Sequence, residues 1–225
     1  MISARIALLT LASCVSSYAA TKGPFISLNV GPVFQTGKHT YTNGAGGEGK
    51  QTIKSFGGTG GASLGYLHEP AGSKLIFGGE VYGGITTINA KKDLIITGGT
   101  IEGKVNIKPK NFFGVAMIAG MSINPKVVMY GRLGYEFNRF SFEYSNLTFQ
   151  TPTAQKYSKT TKGMAPGAGA MYKLTDSIIL GAEYTMNLQG KLVIRKDDTP
   201  INGVKRGYEY SGVSHRVTAR LIYVF

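Results

Sequence analysis

The last thirteen residues, Val213 to Phe225 (VSHRVTARLIYVF), constrain the fold more than any other stretch of the chain. Counted back from the terminal phenylalanine, every second residue is Phe225, Tyr223, Leu221, Ala219, Val217, His215 and Val213. The alternate set is Val224, Ile222, Arg220, Thr218, Arg216 and Ser214. One face is nearly all apolar and the other carries two arginines and two hydroxyls, the period-two pattern of a β-strand. Two burial schemes satisfy such a strand. Either the apolar face meets a core and the arginines meet water, or the apolar face meets lipid and the arginines look into a lumen.

The preceding residues repeat the pattern. Alternating segments run over Phe25–Phe34, Gly57–His68, Leu75–Ile88, Asn111–Ile123, Val127–Phe140 (with an outer end that can run on into Phe142 or Tyr144), Met164–Leu174 and Ile178–Leu188. Short turns at Glu69–Gly72, Asn124–Lys126 and Thr175–Ser177 alternate with long polar connections, about Gln35–Ser55, Asn89–Pro109, a third ending near Lys162, and Gln189–Ser211. Helical spacing of apolar residues does not recur after residue 24. The 32 glycines, many inside alternating segments, fit small inward positions in a narrow barrel. The pattern therefore predicts an all-β chain: an eight-stranded antiparallel up-and-down transmembrane β-barrel with four long extracellular loops and three short periplasmic turns. Closure satisfies every backbone donor and acceptor, which lipid cannot do.

The amino terminus reads as a targeting segment. Met1–Arg5 is positive, Ile6–Leu11 is apolar but too short to span a bilayer, and Ser17-Tyr18-Ala19 is a small-x-small cleavage signal. Residues 1–19 are thus expected to be a cleaved signal peptide and 20–225 the barrel domain. Leu11-Ala12-Ser13-Cys14 also resembles the lipobox of bacterial lipoproteins, which would leave a lipidated Cys14. With cleavage after residue 19 the mature protein has no cysteine, and strand pairing and packing must stabilise it without disulfides.

Strand phase separates lipid-facing from lumenal side chains. Leu75, Phe77, Val81 and Ile85 fall outward with Glu80 inward; Val127, Met129, Leu133, Tyr135 and Phe137 outward with Arg132 and Glu136 inward. Ile178, Leu180, Ala182, Tyr184 and Met186 fall outward with Glu183 inward, and Arg216 and Arg220 point inward on the last strand. Counted from the short-turn end, Glu80, Arg132, Glu183 and Arg220 lie about five residues up, and Glu136 and Arg216 about nine. Two stacked layers of ion pairs crossing a narrow lumen are predicted. Such a lumen is a plug.

These stretches resemble the small eight-stranded outer-membrane barrels, of the opacity type and of the outer-membrane protein A transmembrane-domain type. The resembling segments are FGGEVYGG (Phe77–Gly84), YGRLGYEF (Tyr130–Phe137), GAGAMYKLTDSIILGAEYTM (Gly167–Met186) and HRVTARLIYVF (His215–Phe225). The resemblance implies a bacterial outer-membrane location. It also implies that Leu221, Tyr223 and Phe225 form the signal read by the outer-membrane assembly machinery.

Little enzymatic chemistry is visible. Gly44–Lys50 matches a dinucleotide fingerprint and most of a phosphate-binding loop, but Gln51 replaces the magnesium-holding hydroxyl and no helix pattern follows. His39, His68 and His215 are scattered, which argues against a metal site. Ser214 and His215 resemble the pair of barrel-embedded lipid hydrolases, yet strand neighbours face opposite ways. No catalytic residue, cofactor or metal is expected.

The formal charge of +13 concentrates in the long connections. They hold Lys38, Lys50, Lys54, Lys91, Lys92, Lys104, Lys108, Lys156, Lys159, Lys162, Lys191, Arg195, Lys196, Lys205 and Arg206. A basic rim suits lipopolysaccharide phosphates or host polyanions; equally, it suits a solvated surface that keeps loops soluble. Nucleic acid is not an expected partner, because no basic–aromatic platform lies on a soluble face. The expected protein is a monomeric, non-enzymatic outer-membrane barrel with surface-exposed loops for adhesion or host contact. The alternative is a small porin-like channel.

Overall fold

In a computed structural model of the chain, residues 22–42, 48–95, 101–145, 155–196 and 207–225 are described. They form nine strands: β1 (Gly23–Thr42), β2 (Glu48–His68), β3 (Leu75–Thr86), β4 (Ala90–Ile95), β5 (Ile101–Asn124), β6 (Val127–Ser145), β7 (Gln155–Lys173), β8 (Ile178–Lys196) and β9 (Gly207–Val224). Each pairs antiparallel with its neighbour, and β9 pairs with β1 to close the ring. The ring has eight positions, because β3 and β4 occupy one of them, pairing successively along β5. The proposed signal peptide and Cys14 lie outside the described residues.

The short turns have the chemistry the sequence predicts. Gly72 takes φ +73°, a left-handed conformation that favours glycine, and the Ser73 amide donates to the Pro70 carbonyl at 3.0 Å. At Asn124 the side-chain oxygen accepts from the Lys126 and Val127 amides, both at 2.9 Å.

The long connections differ from the sequence expectation. Residues 35–42 of β1 pair with 48–55 of β2 and 207–214 of β9, so most of the first connection is strand. Likewise β4 and the first half of β5 fill most of the second connection. Lys91, Lys92, Lys104, Lys108, Lys156, Lys159, Lys162, Arg195 and Lys196 therefore sit on strands, while Lys205 and Arg206 lie outside the described residues. The physical reason is a reversal of polarity. Near the short turns, outward residues such as Leu28, Val81, Met117 and Leu221 are exposed and apolar. Toward the far end, outward positions become Lys38, Lys54 and Arg139, and inward positions become Phe140, Phe142, Tyr144 and Tyr210. A search for apolar residues facing lipid loses the strand where the apolar phase changes sides.

At that far end the wall also splits. The β2–β3 ladder ends at Thr59↔Thr86 and the β7–β8 ladder at Gly163↔Gln189. What remains is two facing sheets, β8-β9-β1-β2 and β4-β5-β6-β7. Ile53, Leu192, Ile194, Tyr208 and Tyr210 of the first pack on Ala90, Val105, Ile107, Phe140, Phe142 and Tyr144 of the second. Phe140 and Phe142 lie 5.5 Å and 5.7 Å from the Tyr210 ring, and Tyr144 lies 4.7 Å from Tyr208. The free edges carry Lys50 and Lys54, Lys91 and Lys92, Lys156 and Lys159, and Lys191. Charge along an edge discourages unwanted strand addition.

Candidate functional site in the barrel lumen

One strand shows how the lumen is built. Along β6 the buried lumenal side chains run from Val128 and Tyr130, through Arg132, Glu136 and Asn138, to Phe140, Phe142 and Tyr144. Apolar, charged and apolar layers follow in that order from the short-turn end. The first layer closes that end with Phe25, Leu67, Ile76, Ile118, Val128, Met171, Ile179, Ile222 and Val224.

Above it the sequence-selected charges meet. Arg220 donates to Glu80 at 2.7 Å and to Glu183 at 2.6 Å. Arg132 donates to Glu80 at 2.8 Å and lies 3.8 Å from Glu183. All four side chains are buried, so two cations and two anions cancel within one layer. Higher up, Glu136 and Arg216 form a separate buried ion pair.

Alternation selects these six charges, but not the neutral groups that complete the layer. The Tyr130 hydroxyl donates to Glu183 at 2.8 Å, the Ser63 hydroxyl to Glu80 at 3.0 Å, and Arg220 also reaches the Ser27 and Ser63 hydroxyls at 3.1 Å and 3.2 Å. Arg132 lies 4.0 Å over the Tyr82 ring and Arg216 4.3 Å over Phe112. Glycine makes room for the two tyrosines: a Cβ at Gly114 or Gly169 would stand 2.6 Å from the Tyr82 or Tyr130 ring. The signal was present, since Ser27, Ser63, Tyr82 and Tyr130 share the strand phase of the charges, but a search for ionised residues passes over them. The remaining space between Glu80, Tyr82, Phe112, Arg132 and Arg216 is about 30 Å³.

The facing sheets hold a buried histidine. His39 is fully buried, its Nε2 lies 3.0 Å from the Tyr144 hydroxyl, and its ring lies 6.2 Å from Tyr208. Burial holds its pKa down at about 4, against 6.5 for a free imidazole. In the unfolded chain this group protonates near pH 6.5, so between pH 6.5 and about 4 the unfolded state binds more protons. Stability of the two sheets is therefore lost as pH falls through that window, by roughly 3 kcal/mol at full effect. Near-ultraviolet circular dichroism of the aromatic cluster is expected to weaken over this range, and His39→Gln to flatten the change.

Other candidates separate. Ser214 is buried inside, while half-buried His215 faces out, its Nδ1 2.7 Å from the Tyr184 hydroxyl, so the two do not form a nucleophile–base pair. Lys50 lies on β2 with a strand before and after it, and residues 43–47 of the glycine-rich stretch lie outside the described residues. Among the described residues no three of His, Cys, Asp and Glu are grouped to hold a metal ion. Leu221, Tyr223 and Phe225 project outward and are exposed.

Several solved structures are similar to the chain. Outer membrane protein OprG from Pseudomonas aeruginosa is 12% identical, with a TM-score of 0.51 and coverage of 92% of this chain and 99% of that one. Neisserial surface protein A is 14% identical, with a TM-score of 0.45 and coverage of 90% and 97%. The attachment invasion locus protein of Yersinia pestis is 16% identical, with a TM-score of 0.38 and coverage of 87% and 99%. No curated protein sequence matches the chain. The family model of the outer membrane protein beta-barrel domain matches residues 6–211. The alternating strands, the closed ring and that match together place the chain in the outer-membrane β-barrel family.

Proposed function

We propose that the protein is a non-enzymatic, non-conducting surface barrel that displays a rigid basic structure outside the cell. The observation that carries this reading is the Glu80–Arg132–Glu183–Arg220 layer, closed by apolar residues at both ends. It leaves about 30 Å³, room for about one or two waters and no path for a solute. Leu221, Tyr223 and Phe225 are the segment offered to the assembly machinery, exposed on the terminal strand.

The far-end surface supports a proposed partner class. On the β4–β7 sheet Lys91, Lys104, Lys108 and Lys156 share the outer face, with Asp93 and Glu143 as their acidic neighbours. Glu143 accepts from Lys108 at 3.0 Å and pairs with Lys156 at 3.3 Å, and the Lys108 contact holds its carboxyl below the usual range. Lysine remains in excess. A phosphorylated or sulfated polyanion, from host or envelope, suits such a face, and adhesion is its proposed use.

Two measurements test the pair of claims. Planar bilayers containing the purified barrel are expected to carry no steady current, and the barrel to elute from an immobilised sulfated glycan as salt rises. A persistent open-channel current would favour the porin-like alternative. Passage through the column without retention at low salt would remove the polyanion claim.

A further inference from the structure

The β7–β8 seam opens on the lipid side. Where the ladder ends at Gly163↔Gln189, a groove of about 530 Å³ is cut into the outer wall. That falls within the ~300–1,000 Å³ range of ligand sites. Exposed Gly190 lines the groove, and a Cβ there would stand 3.1 Å from the Lys162 carbonyl oxygen. The Thr161 hydroxyl donates to the Gly190 carbonyl at 3.2 Å, fastening the diverging strands behind it.

Its two halves differ chemically. The lower half is apolar: Tyr135, Met164 and Leu188 are 37%, 43% and 43% exposed, at the upper border of the lipid-facing belt. The upper half is cationic and polar, with Lys162, Thr160 and Lys191, and no carboxylate lines it. Lys191 is held by Glu209 at 2.8 Å. Lys162 is exposed and has no ion-pair partner among the described residues.

An acyl chain below and an anionic headgroup above complement this surface. We propose that the seam seats one lipopolysaccharide molecule. A phosphate of its lipid moiety meets Lys162, and an acyl chain lies along Tyr135, Met164 and Leu188. The outer leaflet decides the occupant, because the groove lies at the end of the barrel away from the short turns, where the family topology places the cell exterior. The inference rests on membrane placement and not on the sealed lumen, so a channel current would leave it standing.

The test uses the full-length barrel, extracted in mild detergent and shown to be folded by its heat-modifiable gel migration. Native mass spectrometry counts retained lipid after exchange into lipid A, dephosphorylated lipid A or phosphatidylglycerol. Wild type is expected to retain one lipid A and to release the dephosphorylated form. Lys162→Glu is expected to lower retention at least about fivefold, which corresponds to a charge contact of ~1 kcal/mol. Gly190→Phe, whose side chain enters the groove and presses on the Lys162 carbonyl without changing charge, is expected to do the same. Lys38→Glu, on the opposite sheet, controls for general surface charge and should leave retention unchanged. Equal retention by wild type and Lys162→Glu would overturn the proposal. Equal loss in Lys38→Glu, or equal retention of phosphatidylglycerol and lipid A, would overturn it as well.

Discussion

Arg220→Ala is expected to destabilise the barrel by about 3–5 kcal/mol, the cost of breaking a buried ion pair from one side. Arg220 bridges Glu80 and Glu183 and reaches Ser27 and Ser63 on the neighbouring strands β1 and β2, so no other single side chain joins as much of the layer. Its loss leaves two buried carboxylates sharing Arg132. Urea unfolding in detergent, followed by gel migration, reads the effect. Removing the stranded charge should recover part of the loss: Arg220→Met with Glu183→Gln is expected to be more stable than Arg220→Met alone. That non-additivity separates ion pairing from simple packing, which would make the double variant worse. Arg132→Ala should act in the same direction with a smaller effect, because Arg220 still holds both carboxylates. An unchanged midpoint for Arg220→Ala would remove the claim that the layer holds the walls together.

Phe142→Ala is expected to act on a different part of the molecule. The ring is fully buried between the facing sheets, against Phe140 and Tyr210. Truncating a buried phenylalanine costs about 3–5 kcal/mol. The loss falls on sheets that no longer close into a ring, so it should appear as local opening and not as collapse of the barrel. Limited proteolysis is expected to cut the far-end strands of the variant much faster than wild type, while the protected core keeps its heat-modifiable migration. Phe113→Ala, on the lipid-facing side of β5, serves as the control and should leave the far end resistant. If Phe142→Ala were cut no faster than wild type, the far end would owe its order to strand pairing alone.

These two experiments divide the chain where sequence reasoning itself divides. In the lipid-facing region the alternation is unambiguous, because Leu221, Tyr223 and Phe225 contrast sharply with Arg216 and Arg220. Phase alone therefore sorts lumen from lipid there. Past Asn138 on β6 the contrast persists but changes sides, with Arg139 outward and Phe140, Phe142 and Tyr144 inward. Lysines facing water and lysines in a flexible loop look alike in a sequence, so β4 and the upper halves of β1, β2 and β5 read as connections. Pairing across strands decides the matter, and it is a long-range property. The β7–β8 groove was invisible for the same reason, since it depends on where one ladder ends.

The swap of greasy and ionic faces near Asn138 also fixes the draught of the molecule. Sinking by one residue pair would drag Arg139, Lys54 and Lys162 into hydrocarbon, and rising by one would lift Phe34, Phe56 and Phe113 into water. Both penalties act on opposite sides of the hull at once, so bobbing and rocking are suppressed together. The barrel floats at a set waterline, and whatever its upper strands touch is met at one fixed height.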